Sequence, residues 1–563
     1  MRMTGADMVC ESLIREGVDV MFGIPGGAIL PFYGALPKFP KLRHILTRHE
    51  QGASHAADGY ARATGKCGVC VATSGPGATN LATGLACAHM DSSPVVAITG
   101  QVPRAMIGKD AFQEADVTGI TLPITKHNTL VMKVEDIPRV VREAFYIANT
   151  GRPGPVLIDI PRDVLQEQGN FYWPEEVEFL GYKITTKGHP GQIKKAAQLI
   201  KEAKQPVIIA GHGVIISKAY QELKQLAEKA QIPVINTLLG TSCFPQNHVL
   251  SLGMPGMHGV AWASIAIDEA DLVIGIGMRF DDRVTGRIKD FAPKAKIIHI
   301  DVDPAEMGKN VSTLVPIVGD VKSVLHDLNK LVEPATRGEW LRQIDVWKRE
   351  HPSLDIRETD KLLPQFILRK LWEITKGEAI LVTGVGQHQM WAAQHYFFHK
   401  PNTFISSGGL GAMGFEVPAG MGAKVARPNE TVWSIAGDGG FQMTMSELAT
   451  MAENNIALKI GIMNNNSLGM VRQWQQFFYK KQYVASVYSG NPDFVKLAEA
   501  FHILGLRATS KEEVEPVIRK AMEHPGPVVV DFVVEPEENV YPMIPAGTSV
   551  AEMIEEPKEV MVS

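Results

Sequence analysis

The 563 residues are 45% hydrophobic, 21% charged and 7% aromatic, with 56 basic against 61 acidic side chains and a net charge of −5. No basic run suits a nucleic-acid partner, and no apolar stretch approaches the roughly 18 residues of a membrane span. Five cysteines, at 10, 67, 70, 87 and 243, are too few and too scattered for a disulfide framework, and the opening MRMTGADMVCESLIREG reads as neither a signal nor a transit peptide. The expectation is a cytoplasmic protein of about three or four domains.

Thr4-Gly-Ala-Asp7 reads as a capping box that opens a helix ending near Gly17. Short β-branched runs then alternate with helical stretches: VMFGIP (20–25), RHILTR (43–48), GVCVATSG (68–75), PVVAITG (94–100) and PVLIDIP (155–161). Strands alternating with helices predict a parallel sheet covered on both faces. The rhythm lapses over 162–190, which reads as a linker, and resumes with PVIIAGHG, IPVINTLLG, DLVIGIGMRF, KIIHIDVD and PIVGD. It lapses again over the charged stretch 331–360. A third series follows: AILVTGVG, TFISSGG, TVWSIAGDGG, ALKIGIMNN and PVVVDFVV. The predicted fold class is α/β, with three tandem doubly wound parallel-sheet domains at 1–180, 190–345 and 360–545 and a tail, 546–563, that reads as an arm. Cys67-Gly-Val-Cys70 has no second pair or nearby His to make a zinc site, so buried structural thiols are expected.

The most specific local signal is Gly437-Asp438-Gly439-Gly440 at one strand end and Asn464-Asn465 at the end of another. In an open parallel sheet, ligands bind at the carboxyl ends of the strands. A carboxylate and an amide oxygen placed there suit Mg²⁺, which takes oxygen ligands and shares them with phosphates. The glycines let backbone approach a diphosphate, and the following helix N-terminus favours its charge.

GDGG followed by NN resembles the diphosphate motif of thiamine diphosphate (ThDP) enzymes. The whole length resembles the catalytic subunit of the acetohydroxyacid synthase (acetolactate synthase) family. The segments that carry this are FGIPGGAILPFY, RHEQGASHAADGYARATG, TSGPGATN, TGQVPRAMIGKDAFQE, NTGRPGP, GMHG, GMRFDDR, GVGQHQMWAAQ, SSGGLGAMGF and NNNSLGMVRQWQ. The resemblance implies an N-terminal pyrimidine-binding domain, a central FAD-type domain and a C-terminal domain for diphosphate and Mg²⁺.

It also assigns roles. Glu50, at the end of the strand RHILTR, would hydrogen-bond the aminopyrimidine and promote loss of the cofactor's C2 proton. Gln387 and His388 would hydrogen-bond the diphosphate beside Gly439 and Gly440, Gly411 and Met413 would seat the aminopyrimidine, and Met470 would touch it from the other side. Asp438, Asn465 and the Ser467 carbonyl would hold the metal. Gly27 and Gln113 would lie at the reacting carbonyl, with Arg162 a cation where many relatives carry Lys. FAD would meet Arg152, Gly211, Gly213, His258, Arg279, Asp301 and Asp320. Arg283 would grip a keto-acid carboxylate in two hydrogen bonds, beside an apolar wall of Phe112, Met257, Val471 and Trp474. Glu416-Val-Pro stands where the family pattern has Gly-Leu-Pro, which puts a carboxylate near the site.

The implied activity is a decarboxylating carboligase. It joins the two-carbon unit of pyruvate to a second pyruvate, giving 2-acetolactate, or to 2-ketobutyrate, giving 2-aceto-2-hydroxybutyrate, on the way to branched-chain amino acids. A homodimer or dimer of dimers is implied, with room for a separate small regulatory subunit. A flavin-using pyruvate oxidase, a glyoxylate carboligase and a non-catalytic ThDP-binding regulator are the alternatives. An intact Glu50 with complete metal ligands argues against the last.

Overall fold

Runs rich in Val and Ile form strands here because helices cover both faces of a parallel sheet and every side chain finds an apolar neighbour. GVCVA (Gly68–Ala72), PVIIA (Pro206–Ala210) and LVIGI (Leu272–Ile276) are buried at every position. A computed structural model describes residues 2–177, 179 and 181–557. Among them are three six-stranded parallel sheets.

The first sheet runs Arg43–Leu46, Val20–Gly23, Gly68–Ala72, Val95–Gln101, Val156–Pro161, His127–Leu130. The third runs Phe404–Ser406, Ile380–Thr383, Val432–Gly437, Lys459–Asn464, Val528–Val533, Leu504–Ala508. Numbered along the chain within each sheet, both have the order 2-1-3-4-6-5, so the two domains share one topology. The middle sheet, Ser251–Gly253, Val234–Asn236, Pro206–Ala210, Leu272–Ile276, Lys296–Asp301, Val315–Val318, has the order 3-2-1-4-5-6. That order leaves a crevice at the carboxyl ends of the strands, where the winding reverses.

One strand per sheet escapes the sequence reading: His127–Leu130, Ser251–Gly253 and Leu504–Ala508. All three are edge strands and only partly buried, so none carries an unbroken apolar run. The predicted linkers are also more ordered than their composition suggests. Within 162–190, Arg162–Gln166 is helical and Gln168–Asn170 pairs antiparallel with Arg2–Thr4. Within 331–360, the helix Gly338–Glu350 buries Trp340 and Ile344 in the middle domain, and Trp340 Nε1 donates to the Pro206 carbonyl at 3.1 Å.

The chain end is no free arm as far as residue 557. Val540, Met543 and Ile544 are buried, the Ile544 amide donates to the Met257 carbonyl, and Met543 bridges Ile554. Residues 558–563 of the expected tail lie outside the described residues.

The capping expectation holds in half: Thr4 Oγ1 accepts from the Asp7 amide at 3.1 Å, while the Asp7 carboxylate pairs with Lys38. The first and third domains meet along the helices Glu50–Thr64 and Glu416–Ala426. A methyl added at Gly59 would fall 2.0 Å from the Ala419 carbonyl, and one at Gly422 would fall 1.9 Å from that of Ala56. Only glycine permits that approach. All five cysteines are free, and burial pushes the Cys70 thiol up to about 12, consistent with inert packing.

Candidate active site

The third sheet reverses its winding between Ile380–Thr383 and Val432–Gly437, and both strands end in glycine-rich turns. Gly386 has φ +147°, a backbone that L side chains rarely adopt, and a methyl on it would strike the His388 ring. Gly437, at the facing strand end, meets the same ring. His388 is buried, its Nε2 lacks a partner, and burial pulls its pKa down to about 3, so the imidazole is neutral.

Asp438 opens the helix Asp438–Thr444, and burial raises its carboxyl to about 6 against hydrogen bonds from Asn491 and from the Gly439, Ser467 and Asn466 amides. Asn491 Nδ2 donates to Asp438 Oδ2 at 2.7 Å. Asn465 Oδ1 accepts from the Ser467 amide at 3.3 Å, while its Nδ2 donates to Gln387 Oε1 at 3.1 Å. Gln387 therefore orients Asn465, and its own Nε2 is bound to Gln473 Oε1 and the Glu538 carbonyl. The ε-methyl of Met413 lies 3.5 Å from where a Gly439 side chain would begin. Gly411, before it, has φ +73°.

A second cluster forms on the first domain. Glu50 is the first residue of its helix and its Oε2 accepts from Asn80 Nδ2 at 3.0 Å. Gly77 lies against its other oxygen, and burial with the Glu50 charge pushes the Tyr33 hydroxyl up. Gln113 packs on Gly75 in the adjacent turn with φ +61°, Gly27 lies open in the turn after Val20–Gly23, and Arg162 is exposed beyond the strand Val156–Pro161. Phe112 is 89% exposed. Among the described residues no hydrogen bond joins Gly27, Glu50 or Gln113 to Asp438, Asn465 or His388.

At the switch point of the middle sheet, the turns Gly211-His212-Gly213 and Gly277-Met278 pack backbone to backbone. A methyl at Gly211 would lie 2.4 Å from the Gly277 carbonyl oxygen. A cavity of about 450 Å³ opens there, lined by Arg152, Gly213, His258, Arg279, Asp301 and Asp320. Gly211, the seventh predicted residue, is not among its lining residues. Burial raises the Asp301 carboxyl to about 6, while Arg152 pairs with Asp303 and Glu306.

A wider cavity of about 720 Å³ adjoins it and shares Met257, His258 and Arg283 with it. Met470, Val471 and Trp474, from the helix Gly469–Phe478, form its other wall. The Arg283 guanidinium is mostly exposed, 3.4 Å from the Met257 sulfur and 3.6 Å from Asp282, a long contact that leaves its donors available. Four of the five predicted substrate residues thus share one cavity. Phe112 stands apart.

Comparison with known proteins decides the family. The thiamine pyrophosphate enzyme N-terminal TPP binding, central and C-terminal TPP binding domains match residues 3–120, 193–328 and 384–532. The chain is 53% identical over 560 residues to an acetolactate synthase of Mycobacterium bovis, covering 97% of this chain and 91% of that protein. The chain belongs to the acetolactate synthase large subunits of the thiamine pyrophosphate enzyme family. It is 50% identical over 559 residues to the large subunit of Corynebacterium glutamicum, covering 97% of this chain and 89% of that one. To a probable acetolactate synthase large subunit of Methanocaldococcus jannaschii it is 50% identical over 566 residues, covering 98% and 95%.

The residues present fit the diphosphate end of the cofactor of this family. The His388 Nε2 is buried and unpartnered, glycines line the turns around it, and the Asp438 carboxylate faces the Asn465 loop. No cluster of three His, Cys, Asp or Glu among the described residues forms a metal site. A carboxylate with an amide oxygen, the set a hard cation shares with phosphate, is what Asp438 and Asn465 provide.

Several participants were not singled out in the sequence. Asn80 sits within TSGPGATN and could have been found there. Asn491 could not, because it reaches Asp438 from a loop with no motif. Glu447 is buried and accepts from the Arg48 and His49 amides, fixing the start of the Glu50 helix from another domain. The departure at Glu416 is a buried side chain, with its carboxyl against Gly384 and Gly440 directly beneath the cradle.

Proposed function

We infer that this protein condenses pyruvate, after decarboxylation, with a second pyruvate or with 2-ketobutyrate, the acetolactate synthase reaction of branched-chain amino acid biosynthesis. One observation carries the reading. The cradle at the third switch point lies in a chain whose nearly full length matches acetolactate synthases. The reading extends to Mg²⁺ and FAD. Mg²⁺ is supported by the oxygen donors of Asp438 and Asn465, and FAD by six predicted contact residues on one cavity of a 3-2-1-4-5-6 sheet.

When bound, ThDP supplies a nucleophilic carbon and accepts the electron pair as CO₂ leaves. The chain does the rest. Asp438, Asn465 and the Ser467 carbonyl would hold the metal, and the neutral His388 would serve the diphosphate. Gly411, Met413 and Met470 would enclose the aminopyrimidine. Glu50 would hold a proton at the ring nitrogen, and Asn80 keeps its carboxyl in place. Arg283 binds the keto-acid carboxylate as a planar two-donor fork. Trp474, Val471 and Met257 pack on its alkyl chain. The Gly27 amide and the Gln113 side chain face the carbonyl oxygen on which negative charge develops.

Two half-sites on one chain favour a homodimer, or a dimer of dimers, in which Glu50 and Phe112 of one subunit complete the cradle of the other. The exposure of Phe112 in a lone chain supports this. Relatives named as large subunits suggest a separate small subunit. Free cysteines throughout suit a cytoplasmic enzyme. No helix among the described residues is long and apolar enough to cross a membrane. The deciding experiment incubates the protein with ThDP, Mg²⁺ and FAD and analyses products from pyruvate, with and without 2-ketobutyrate. Acetolactate and acetohydroxybutyrate are expected. Acetate formation with consumption of an electron acceptor would replace the reading with the oxidase.

A further inference from the structure

Three domains meet at one buried aspartate. Asp91 caps the helix Ala82–Met90 of the first domain and is 1% exposed. Its Oδ1 accepts the Gly409 amide at 2.6 Å, and its Oδ2 accepts the Gly408 amide at 3.0 Å together with Arg62 Nη2 at 2.9 Å. Arg62 is itself buried, bound through Nε and Nη2 to Asp58, and donates through Nη1 to the Ser406 carbonyl at 2.7 Å. Two residues of the first domain thereby grip both ends of the segment 406–409. From there the loop runs to Gly411 and Met413, held also by the Ala412 amide on Ser407 Oγ at 2.9 Å.

The same short stretch of the first domain faces the middle domain. The Asp91 carbonyl meets His212 Nδ1 of the middle domain at 2.9 Å, and Ser92 Oγ accepts at 2.9 Å from Nε of Arg152, a first-domain residue whose Nη1 pairs with Asp303 and Glu306 of the middle domain. Burial pulls the His212 ring down to about 4, so it is neutral and donates to that carbonyl. Met90, Asp91, Ser92, His212, Gly408 and Gly411 all line the cavity of the middle domain.

We propose that Asp91 is a positioning residue for the cofactor site: a first-domain carboxylate that clamps the third-domain loop seating the aminopyrimidine, so that ThDP affinity depends on a side chain that does not touch ThDP. This rests on the functional reading given above. The carboxylate faces three donors and offers none. An amide in its place would turn an N–H₂ group toward either a backbone N–H or the Arg62 guanidinium. A charged acceptor lost from such buried partners is worth about 10- to 100-fold in an equilibrium.

The test measures ThDP affinity by titration at fixed Mg²⁺, and the KM for ThDP separately from kcat, in full-length wild type and three variants. Asp91→Asn is expected to raise both Kd and KM for ThDP about 10- to 100-fold, with kcat at saturating ThDP close to wild type. Asp58→Asn removes an equal charge from Arg62 but touches no loop amide. It should lower the melting temperature and change ThDP affinity far less than Asp91→Asn does, because the loop amides keep their acceptor and Arg62 keeps Asp91 and the Ser406 carbonyl. Gly409→Ala keeps every charge, but its methyl would lie 2.8 Å from Met90 Cβ and 2.9 Å from Asp91 Oδ1, so it should raise the KM for ThDP as Asp91→Asn does. Where Asp91→Asn yields no folded protein, Gly409→Ala decides alone. Equal loss of affinity in Asp58→Asn and Asp91→Asn would reduce the role to general stability and overturn the proposal. Unchanged affinity in Asp91→Asn or Gly409→Ala would overturn it too. A wild-type chain that fails to bind ThDP would instead remove the functional reading beneath it.

Discussion

Glu416→Gln should stabilise the protein at alkaline pH and do nothing at acid pH. The side chain is buried, neither oxygen makes a hydrogen bond, and Gly384 and Gly440 close over it. Burial raises its carboxyl from 4.5 to about 7, and the nearby amides of Glu416 and Gly414 pull it back only in part. The folded-state value lies above the unfolded one, so between pH 4.5 and about 7 the native state holds a proton that the unfolded chain has released. Stability therefore falls as pH climbs through that window. Above it, the full cost of ionising the buried group is present, about 3 kcal/mol for a displacement of this size. Below it, neither state is ionised and nothing is lost. Glutamine mimics the protonated acid and carries no such cost. Melting temperatures of the cofactor-free protein, wild type against variant, should coincide near pH 4.5 and separate by pH 8, with the variant higher. A gap that does not change with pH would refute the reasoning and mean that the carboxyl is solvated or paired.

Trp474→Leu should change the choice of second substrate more than the first step. One methylene against an apolar wall is worth about 10- to 200-fold, and competition between pyruvate and 2-ketobutyrate reads the product ratio; a wild-type ratio would make Trp474 plain packing. Asp438→Ala should abolish the Mg²⁺ dependence of ThDP binding, because it removes the carboxylate of the proposed metal set, and retained metal-dependent binding would place the cradle elsewhere. Glu50→Gln keeps an acceptor for Asn80 but cannot supply a proton, so exchange of the cofactor C2 hydrogen should slow while ThDP remains bound. Exchange at the wild-type rate would take Glu50 out of the mechanism.

How much of this could be read from the sequence follows from where the information sits. Central strands such as Pro206–Ala210 are buried on both faces and announce themselves as unbroken apolar runs. Edge strands such as His127–Leu130 are half-buried and do not. The helix Gly338–Glu350 looked like a charged linker because only Trp340 and Ile344 among its side chains are buried. The site residues at strand ends were legible for a local reason: the turns there need glycine, at Gly211 for close approach to the Gly277 backbone, at Gly386 for its φ of +147° and at Gly439 for want of room beside Tyr488 and Leu468. Partnerships across domains left no such mark. Glu447 holds amides of the first domain, and Asp91 holds amides of the third, across more than three hundred residues of chain in each case. Glu416 stood out as a departure, yet its burial came only from the helix packing.

The two kinds of information meet in the helix Glu50–Thr64. Its first residue is the proposed acid, its middle carries Ala56 and Gly59 in backbone contact with Gly422 and Ala419 of the third domain, and its last turn carries Arg62 of the buried clamp. A helix held at its start by Glu447, along its length by glycine contacts and at its end by the Arg62 clamp has little freedom to move relative to the third domain. Glu50 nevertheless makes its polar contact within the first domain, with Asn80. On the proposed reading, the rigid mounting of Glu50 would serve a cradle other than the one its own chain builds at Asp438. A second copy, mounted the same way, would bring both pairs together at once, and this is the physical argument for reading the active unit as a dimer.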